Sequence, residues 1–170
     1  MPARNIKTHL RQRGLTLVEL VVTIAILAIL VTVGIPGFQA LVAQNRATTT
    51  ANDLLASLQF ARSAAISNAQ DVTVCPGVSS CTSGGQWQGG WIVLGTADDG
   101  SAEVLRQHPA PASSVSMSGA DEWVFSNTGT LEGQAIVHFD ITVSSVAGAA
   151  RTVCMSLAGN ARIIRGSESC

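Results

Sequence analysis

Glu19 is the one charged side chain in a stretch of 24 residues, 15–38, that is otherwise uncharged and mostly apolar. A carboxylate in apolar surroundings loses its hydration, so it costs free energy unless a cation pairs with it. The position therefore predicts that Glu19 pairs with a positive charge in a setting of low dielectric constant. The alternative is a carboxylate that lies near a helix end and reaches back to the membrane interface.

Four cysteines are the other reactive groups, and all of them follow the apolar stretch: Cys75, Cys81, Cys154 and Cys170. Four thiols allow three pairings, and the sequence does not choose among them. We expect the local pairing, 75 with 81 and 154 with 170, because it tethers two otherwise frayed regions. A zinc site is the alternative, but spacings of six and sixteen residues without a nearby histidine disfavour it. Disulfides would imply an oxidising compartment.

The histidines form no grouping that suggests catalysis. His108 and His138 have no cysteine or serine nucleophile pattern around them, and His9 precedes the apolar stretch. His138 lies in a run that alternates with apolar residues, which predicts a place on the polar face of a strand. We therefore expect no catalytic residues and no enzyme activity.

Acidic side chains surround Gly100, namely Asp98, Asp99 and Glu103. Such a cluster at a glycine turn is compatible with calcium. Turn chemistry explains the same residues, since Asp-Gly between two strand-like runs is typical of a hairpin. We expect a turn here, and no metal or other cofactor.

The apolar stretch is long enough to cross a membrane. As a helix it would span about 36 Å, against about 30 Å for the hydrocarbon core. Arg4, Lys7, Arg11 and Arg13 precede it without any acidic residue. By the positive-inside rule, this predicts a cytoplasmic N-terminus and a single-pass inner-membrane protein whose C-terminal domain is periplasmic. A secretory signal would instead show a shorter apolar region followed by its cleavage site.

The run from Arg13 to Leu20, RGLTLVEL, resembles the prepilin signature of type IV pilins and type II secretion pseudopilins. The resemblance implies that a prepilin peptidase cleaves after Gly14 and that the new N-terminus at Leu15 is methylated. It also implies that Glu19 sets the register of assembly by pairing with the N-terminus of a neighbouring subunit. The family usually has Phe after the cut, and Leu15 keeps that position hydrophobic. The implied partners are other minor and major pilins or pseudopilins and an inner-membrane assembly platform.

Pro36 and its flanking glycines, Gly34 and Gly37, interrupt the helical pattern. Proline cannot donate to the carbonyl group of Thr32, so the sequence predicts either a helix terminus or a kink. We favour the kink, because apolar and polar residues recur at helical intervals over residues 40–67.

Beyond Asn68 the sequence changes to alternating or β-branched runs separated by Gly, Ser and Asp. The runs are Val72–Val74, Trp91–Leu94, Val104–Arg106, Glu122–Phe125, Ala135–Val143 and Thr152–Met155. They predict an α+β fold in which a long N-terminal helix packs on a small β-rich domain of two antiparallel sheets. The predicted parts are a cleaved basic leader (1–14), a transmembrane half-helix (15–38), an amphipathic periplasmic half-helix (39–68) and a β-rich domain (69–170).

The β-rich part is similar to the GspH/FimT family of minor pilins and pseudopilins. The similarity rests on Gly90–Leu94 with Asp98, Gly100 and Val104–Arg106, on Phe125–Gly129, and on Val153–Ser156 with Gly159. It implies a structural subunit that helps to initiate and assemble a type IV pilus or a type II secretion pseudopilus. The corresponding processes are pilus biogenesis, twitching motility or protein secretion.

DNA binding is the alternative function. Some FimT-type proteins act as DNA receptors in natural transformation through a C-terminal Gly-Arg-x-Arg element, and this chain has GNARIIRG at 159–166. Residues three apart on a strand, such as Arg162 and Arg165, point to opposite faces unless a turn or bulge intervenes. After removal of residues 1–14, six arginines and eleven acidic side chains leave a formal charge of −5. That charge disfavours broad nucleic-acid binding.

Overall fold

The structure is a computed structural model that describes residues 16–84, 86–133, 136–144, 146, 148–166 and 170. The predicted cleavage position, Gly14 and Leu15, lies outside the described residues. The chain divides into two compact units, one that ends at Phe38 and one that comprises Gln39–Cys170.

One long helix, α1, extends from Leu17 to Asn68. Thr16 caps its N-terminus, because the Thr16 Oγ1 atom accepts a hydrogen bond from the backbone N–H of Glu19 at 3.2 Å. Pro36 lies inside this helix. The helix therefore continues through the proline and does not end there.

The side chains of residues 17–38 are exposed along the whole of this stretch. Leu17 is 79% exposed and Phe38 is 68% exposed. By length and composition alone, α1 is able to cross a membrane, and its most apolar 18-residue stretch buries nothing. So much exposed apolar surface is stable only against lipid or against other proteins.

Residues 69–170 form two four-stranded antiparallel sheets. The strands are β1 (Val72–Pro76), β2 (Gly90–Thr96), β3 (Ala102–Pro109), β4 (Val115–Ser118), β5 (Trp123–Phe125), β6 (Ile136–Val143), β7 (Arg151–Ser156) and β8 (Ala161–Arg165). The first sheet has the order β3-β2-β1-β5 and the second has the order β4-β6-β7-β8. This arrangement confirms the predicted α+β fold class.

The domain packs on one face of α1 that is rich in alanine. The buried apolar residues of this face are Ala43, Ala47, Ala51, Leu54, Leu58, Ala61 and Ala65. Small side chains at helical spacing allow the sheets to approach the helix axis closely. Large aromatic side chains fill the remaining space, among them Trp87, Trp91 and Trp123, which are all buried.

Strand β6 shows the predicted alternation. Phe139, Ile141 and Val143 are buried, whereas His138 and Thr142 are exposed. The strand begins at Ile136, and Ala135, which the sequence placed at its start, lies outside the described residues.

Two strands were not predicted from the sequence. β4 has only four residues in a segment rich in serine and glycine, and β8 carries arginine close to both ends. Both are edge strands that gain their hydrogen bonds from one long neighbour each, β6 or β7. Their local composition gives little strand signal because the neighbouring strand stabilises them.

Candidate functional site

The N-terminal turn of α1 holds the carboxylate that the sequence singled out. Glu19 is the third residue of the helix, and Thr16, three residues before it, is the cap. A carboxylate in the first turn is favoured by the partial positive charge of the helix N-terminus. The Thr-x-x-Glu spacing is the sequence signature of a capping box, and it could have indicated the start of the helix. Glu19 is therefore compatible with a local role as well as with a role in assembly.

Three contacts bind the first sheet to one flank of α1. They follow one another along the helix: Asp53 with His108, Ser57 with Trp91, and Phe60 with Arg106. The buried indole Nε1–H of Trp91 donates to the Ser57 Oγ atom at 2.9 Å. The guanidinium carbon of Arg106 lies 4.8 Å from the centre of the Phe60 ring. These contacts fix the height of the sheet along the helix.

His108 has a structural environment. Its ring stacks on the ring of Trp91 with centroids 4.0 Å apart and an interplanar angle of 4°. Its Nδ1 atom lies 2.9 Å from the carbonyl oxygen of Pro109, and its Nε2 atom lies 3.3 Å from Asp53 Oδ2. Both ring nitrogens face acceptors, so the ring serves to hold β3 against α1.

Arg62 occupies the opposite flank of α1 and joins two turns. Its Nε–H donates to the carbonyl oxygen of Gly129 at 3.0 Å. Its Nη1 atom donates to the carbonyl oxygen of Gly159 at 3.2 Å and to the Asn160 side-chain oxygen at 2.9 Å. The turn at Gly129 follows β5 in the first sheet, and the turn at Gly159 links β7 to β8 in the second. One helical side chain thus holds both sheets.

The two glycines at this junction have backbone conformations that favour glycine. Gly129 has a φ of 77° and Gly159 a φ of 73°. A Cβ atom at Gly159 would overlap with the carbonyl oxygen of Gly129, and one at Gly129 would lie 2.5 Å from Ile66 Cδ1. The Phe125–Gly129 and Val153–Gly159 segments, which the sequence analysis had noted separately, therefore meet at one place.

All four cysteines are paired in disulfides. Cys75 is bonded to Cys81 and Cys154 to Cys170, with Cα atoms 5.4 Å and 5.7 Å apart. This is the local pairing expected from the sequence. The first disulfide closes the loop after β1, and the second ties Cys170 to the middle of β7.

The β2–β3 connection is a tight turn, as Asp-Gly predicted. The Asp99 Oδ1 atom accepts hydrogen bonds from the Ser101 backbone N–H at 2.9 Å and from the Ser101 hydroxyl at 2.6 Å. These bonds lower the pKa of Asp99 from its ordinary value, because they stabilise the ionised carboxylate. Within the described part of the chain, no three His, Cys, Asp or Glu side chains come together as metal ligands would.

The structure places Arg162 and Arg165 on one regular strand. β8 pairs with β7 without a break in register, with Cys154 opposite Arg162 and Arg151 opposite Arg165. Residues three apart on such a strand point to opposite faces. Arg165 therefore shares its face with Arg151, a residue that the sequence analysis did not consider. Only the strand pairing reveals that relationship.

The fold is similar to those of two minor pilin-like proteins of known structure. The type IV minor pilin FimU of Pseudomonas aeruginosa PAO1 superposes with a TM-score of 0.60 at 24% identity, over 73% of this chain and 92% of that one. The minor pseudopilin EpsH of the Vibrio cholerae type 2 secretion system gives a TM-score of 0.55 at 13% identity, over 72% and 99% of the two chains. No curated protein sequence is significantly similar to the chain.

Two family models match the sequence in consecutive parts. Residues 9–35 match the prokaryotic N-terminal methylation motif, which contains Gly14 and Glu19. Residues 50–159 match the model described as type II transport protein GspH. They cover the second half of α1 and most of the β-rich domain, including Arg62 and both of its turns. The chain therefore belongs to the GspH family of pilin-like proteins, whose members are structural subunits.

Proposed function

We propose that this chain is a minor pilin or pseudopilin that helps to initiate and assemble a type IV pilus or a type II secretion pseudopilus. The main support is the combination of a methylation motif with an exposed apolar half-helix. The side chains of residues 17–38 are all exposed. In the membrane, lipid would cover them, and in a filament the helices of neighbouring subunits would do so.

The N-terminal residues carry the assembly chemistry in this proposal. A prepilin peptidase cleaves after Gly14, and Leu15 becomes the methylated N-terminus. Glu19, in the first turn of α1, then pairs with the N-terminal ammonium group of a neighbouring subunit. In a low-dielectric helix bundle neither charge is stable alone, so their attraction selects the axial register in which they meet.

The rest of the chain presents the subunit surface. Residues 15–38 are the proposed inner-membrane anchor, with Pro36 as a site of bending, and residues 39–170 are the proposed periplasmic part. The two disulfides are consistent with the oxidising periplasm. The partners would be the prepilin peptidase, the inner-membrane assembly platform, and other minor and major pilins or pseudopilins.

The contacts between α1 and the sheets suit a subunit that transmits its position rigidly. Arg62 holds both sheets from one flank of the helix, and the Ser57–Trp91 hydrogen bond holds the first sheet from the other. A helix fixed in register by Glu19 would therefore also fix the height of the β-rich domain on the filament surface.

Sheared surface filaments provide the test. They are probed with an antibody raised against residues 107–151, alongside a marker for membrane contamination. Detection of the chain places it in an extended type IV pilus. Its absence there, with processed protein in the inner membrane and a detection limit of a few copies per filament, favours the short secretion pseudopilus. Unprocessed protein, or processed protein that never associates with other pilin-like subunits, contradicts the proposal.

A further inference from the structure

Three arginines lie at the same end of the β-rich domain. Arg46 Nη1 donates to the Ser114 Oγ atom at 2.9 Å, and Ser114 directly precedes β4. Arg151 begins β7 and Arg165 ends β8. We call Arg46, Arg151 and Arg165 the arginine end of the domain.

The arginine end lies on the side of Gln39, where the domain begins. Arg62 contacts the β7–β8 turn at Gly159, whereas Arg46 contacts the opposite end of the same sheet at Ser114. The sixteen residues between Arg46 and Arg62 span roughly 24 Å of helix, and the six between Gly159 and Arg165 roughly 20 Å of strand. The strands therefore run along the helix, and Arg165 lies nearer to the level of Arg46 than to that of Arg62.

Arg151 and Arg165 are also close to each other. The Gly166 backbone N–H donates to the carbonyl oxygen of Ala150 at 3.0 Å, so 150 and 166 form a hydrogen-bonded pair. The neighbouring pair, Arg151 with Arg165, is then a non-hydrogen-bonded pair, in which side chains approach most closely. Like charges directly opposite each other destabilise a sheet. An external anion between the two guanidinium groups would turn this repulsion into binding.

The opposite end of the domain is acidic. β3 rises along α1 from His108 beside Asp53 to Arg106 beside Phe60, and so leads to the β2–β3 turn that carries Asp98 and Asp99. Asp71, just after the end of α1, accepts a hydrogen bond from the Asn127 backbone N–H at the same end. By contrast, no acidic residue occurs between Leu20 and Asn52 in the sequence. The domain thus has its positive charge towards Gln39.

We propose that the arginine end binds the anionic headgroups of the phospholipid bilayer before the subunit is assembled. This inference rests on the proposed function, because it takes residues 15–38 as the anchor. The domain begins one residue after that anchor, and Arg46 follows Gln39 by roughly 10 Å of helix. The headgroups are thus the nearest source of negative charge. Extraction of the subunit into a filament would break these contacts.

The test uses the full processed chain in lipid nanodiscs. One set of discs contains phosphatidylcholine alone, and the other contains phosphatidylcholine with phosphatidylglycerol. Hydrogen–deuterium exchange is measured for backbone amides around Ser114 and Ala150, at low and at high salt. We expect slower exchange in the anionic discs at low salt only. Arg151→Gln and Arg165→Gln should each reduce the ratio of lipid-bound to free domain about fivefold. Arg162→Gln, on the other face of β8, is the matched control and should change it little.

Three outcomes overturn the inference. The first is exchange that is the same in both lipids, and the second is an effect of Arg162→Gln as large as that of Arg165→Gln. The third is protection that depends on a second copy in the disc and not on lipid charge, which would assign the arginine end to the acidic end of another subunit. A chain that fails to stay in the disc at all would refute the proposed anchor instead.

Discussion

The Nε atom of Arg62 lies 3.0 Å from the carbonyl oxygen of Gly129, and through this bond α1 reaches the first sheet. The same guanidinium group reaches the second sheet at Gly159 and Asn160. All three acceptors are neutral oxygens. Arg62 therefore serves as a fixed fork of donors whose geometry joins two sheets that have no strand in common.

Arg62→Lys should destabilise the domain although it keeps the charge. A lysine ammonium group has no planar fork, so it cannot satisfy three acceptors that belong to two turns. We expect a loss of about 2 kcal/mol, measured as a lower Tm and a lower urea midpoint for residues 39–170. Arg162→Lys, which is exposed on β8, is the matched control and should be nearly neutral. Equal stability of the two variants would mean that Arg62 does not join the sheets.

Glu19→Ala should leave processing intact but impair incorporation into filaments. The substitution removes the carboxylate that would pair with a neighbouring N-terminus, while the peptidase site at Gly14 is unchanged. Processing is followed by the shift in gel mobility, and incorporation by blotting of sheared filaments. Thr16→Val is the control, because it removes the capping hydroxyl but keeps the carboxylate. If Thr16→Val impairs incorporation as strongly as Glu19→Ala, helix capping and not pairing explains the effect.

Removal of either disulfide should destabilise the domain, and the larger loop should matter more. In the chain-entropy model, the sequence separation of 16 between Cys154 and Cys170 corresponds to about 3 kcal/mol. The separation of 6 between Cys75 and Cys81 corresponds to about 2 kcal/mol. Paired Cys→Ala variants and denaturant unfolding give the comparison. Non-reduced mass spectrometry of the periplasmic protein provides the direct check, and four free thiols would contradict both bonds.

The domain should not retain duplex DNA at moderate salt. Arg162 and Arg165 point to opposite faces of β8, so they cannot act together on one phosphate backbone. A gel shift with residues 39–170 measures this, with Arg162→Ala and Arg165→Ala as comparisons. Retention that both substitutions abolish would instead support the alternative of a DNA receptor.

Asp99→Asn should destabilise the β2–β3 turn at neutral pH but not in acid. The hydrogen bonds from Ser101 lower the pKa of Asp99 in the folded state, so the ionised carboxylate stabilises the fold above its unfolded pKa. That contribution is lost as the pH falls through the lower folded pKa. The Tm difference between wild type and variant should therefore shrink below about pH 4. Asp98→Asn is the neighbouring control, and a pH-independent difference would exclude this cause.

The sequence by itself determined the parts of the molecule whose cause is local. The single carboxylate in an apolar stretch, the Gly14–Glu19 spacing and the helical periodicity beyond Pro36 can all be read within a few residues. The alternation of β6 and the Asp-Gly turn are local in the same sense. These features sufficed for the fold class and the family.

The tertiary structure decided what depends on residues distant in the chain. Arg62 reads as one more polar residue on a helix until Gly129 and Gly159, both far along the chain, supply its acceptors. β4 and β8 are strands because β6 and β7 offer them hydrogen bonds. Arg151 becomes the neighbour of Arg165 only through the register of two strands, since sequence periodicity fixes the face of each residue but not its partner across the sheet.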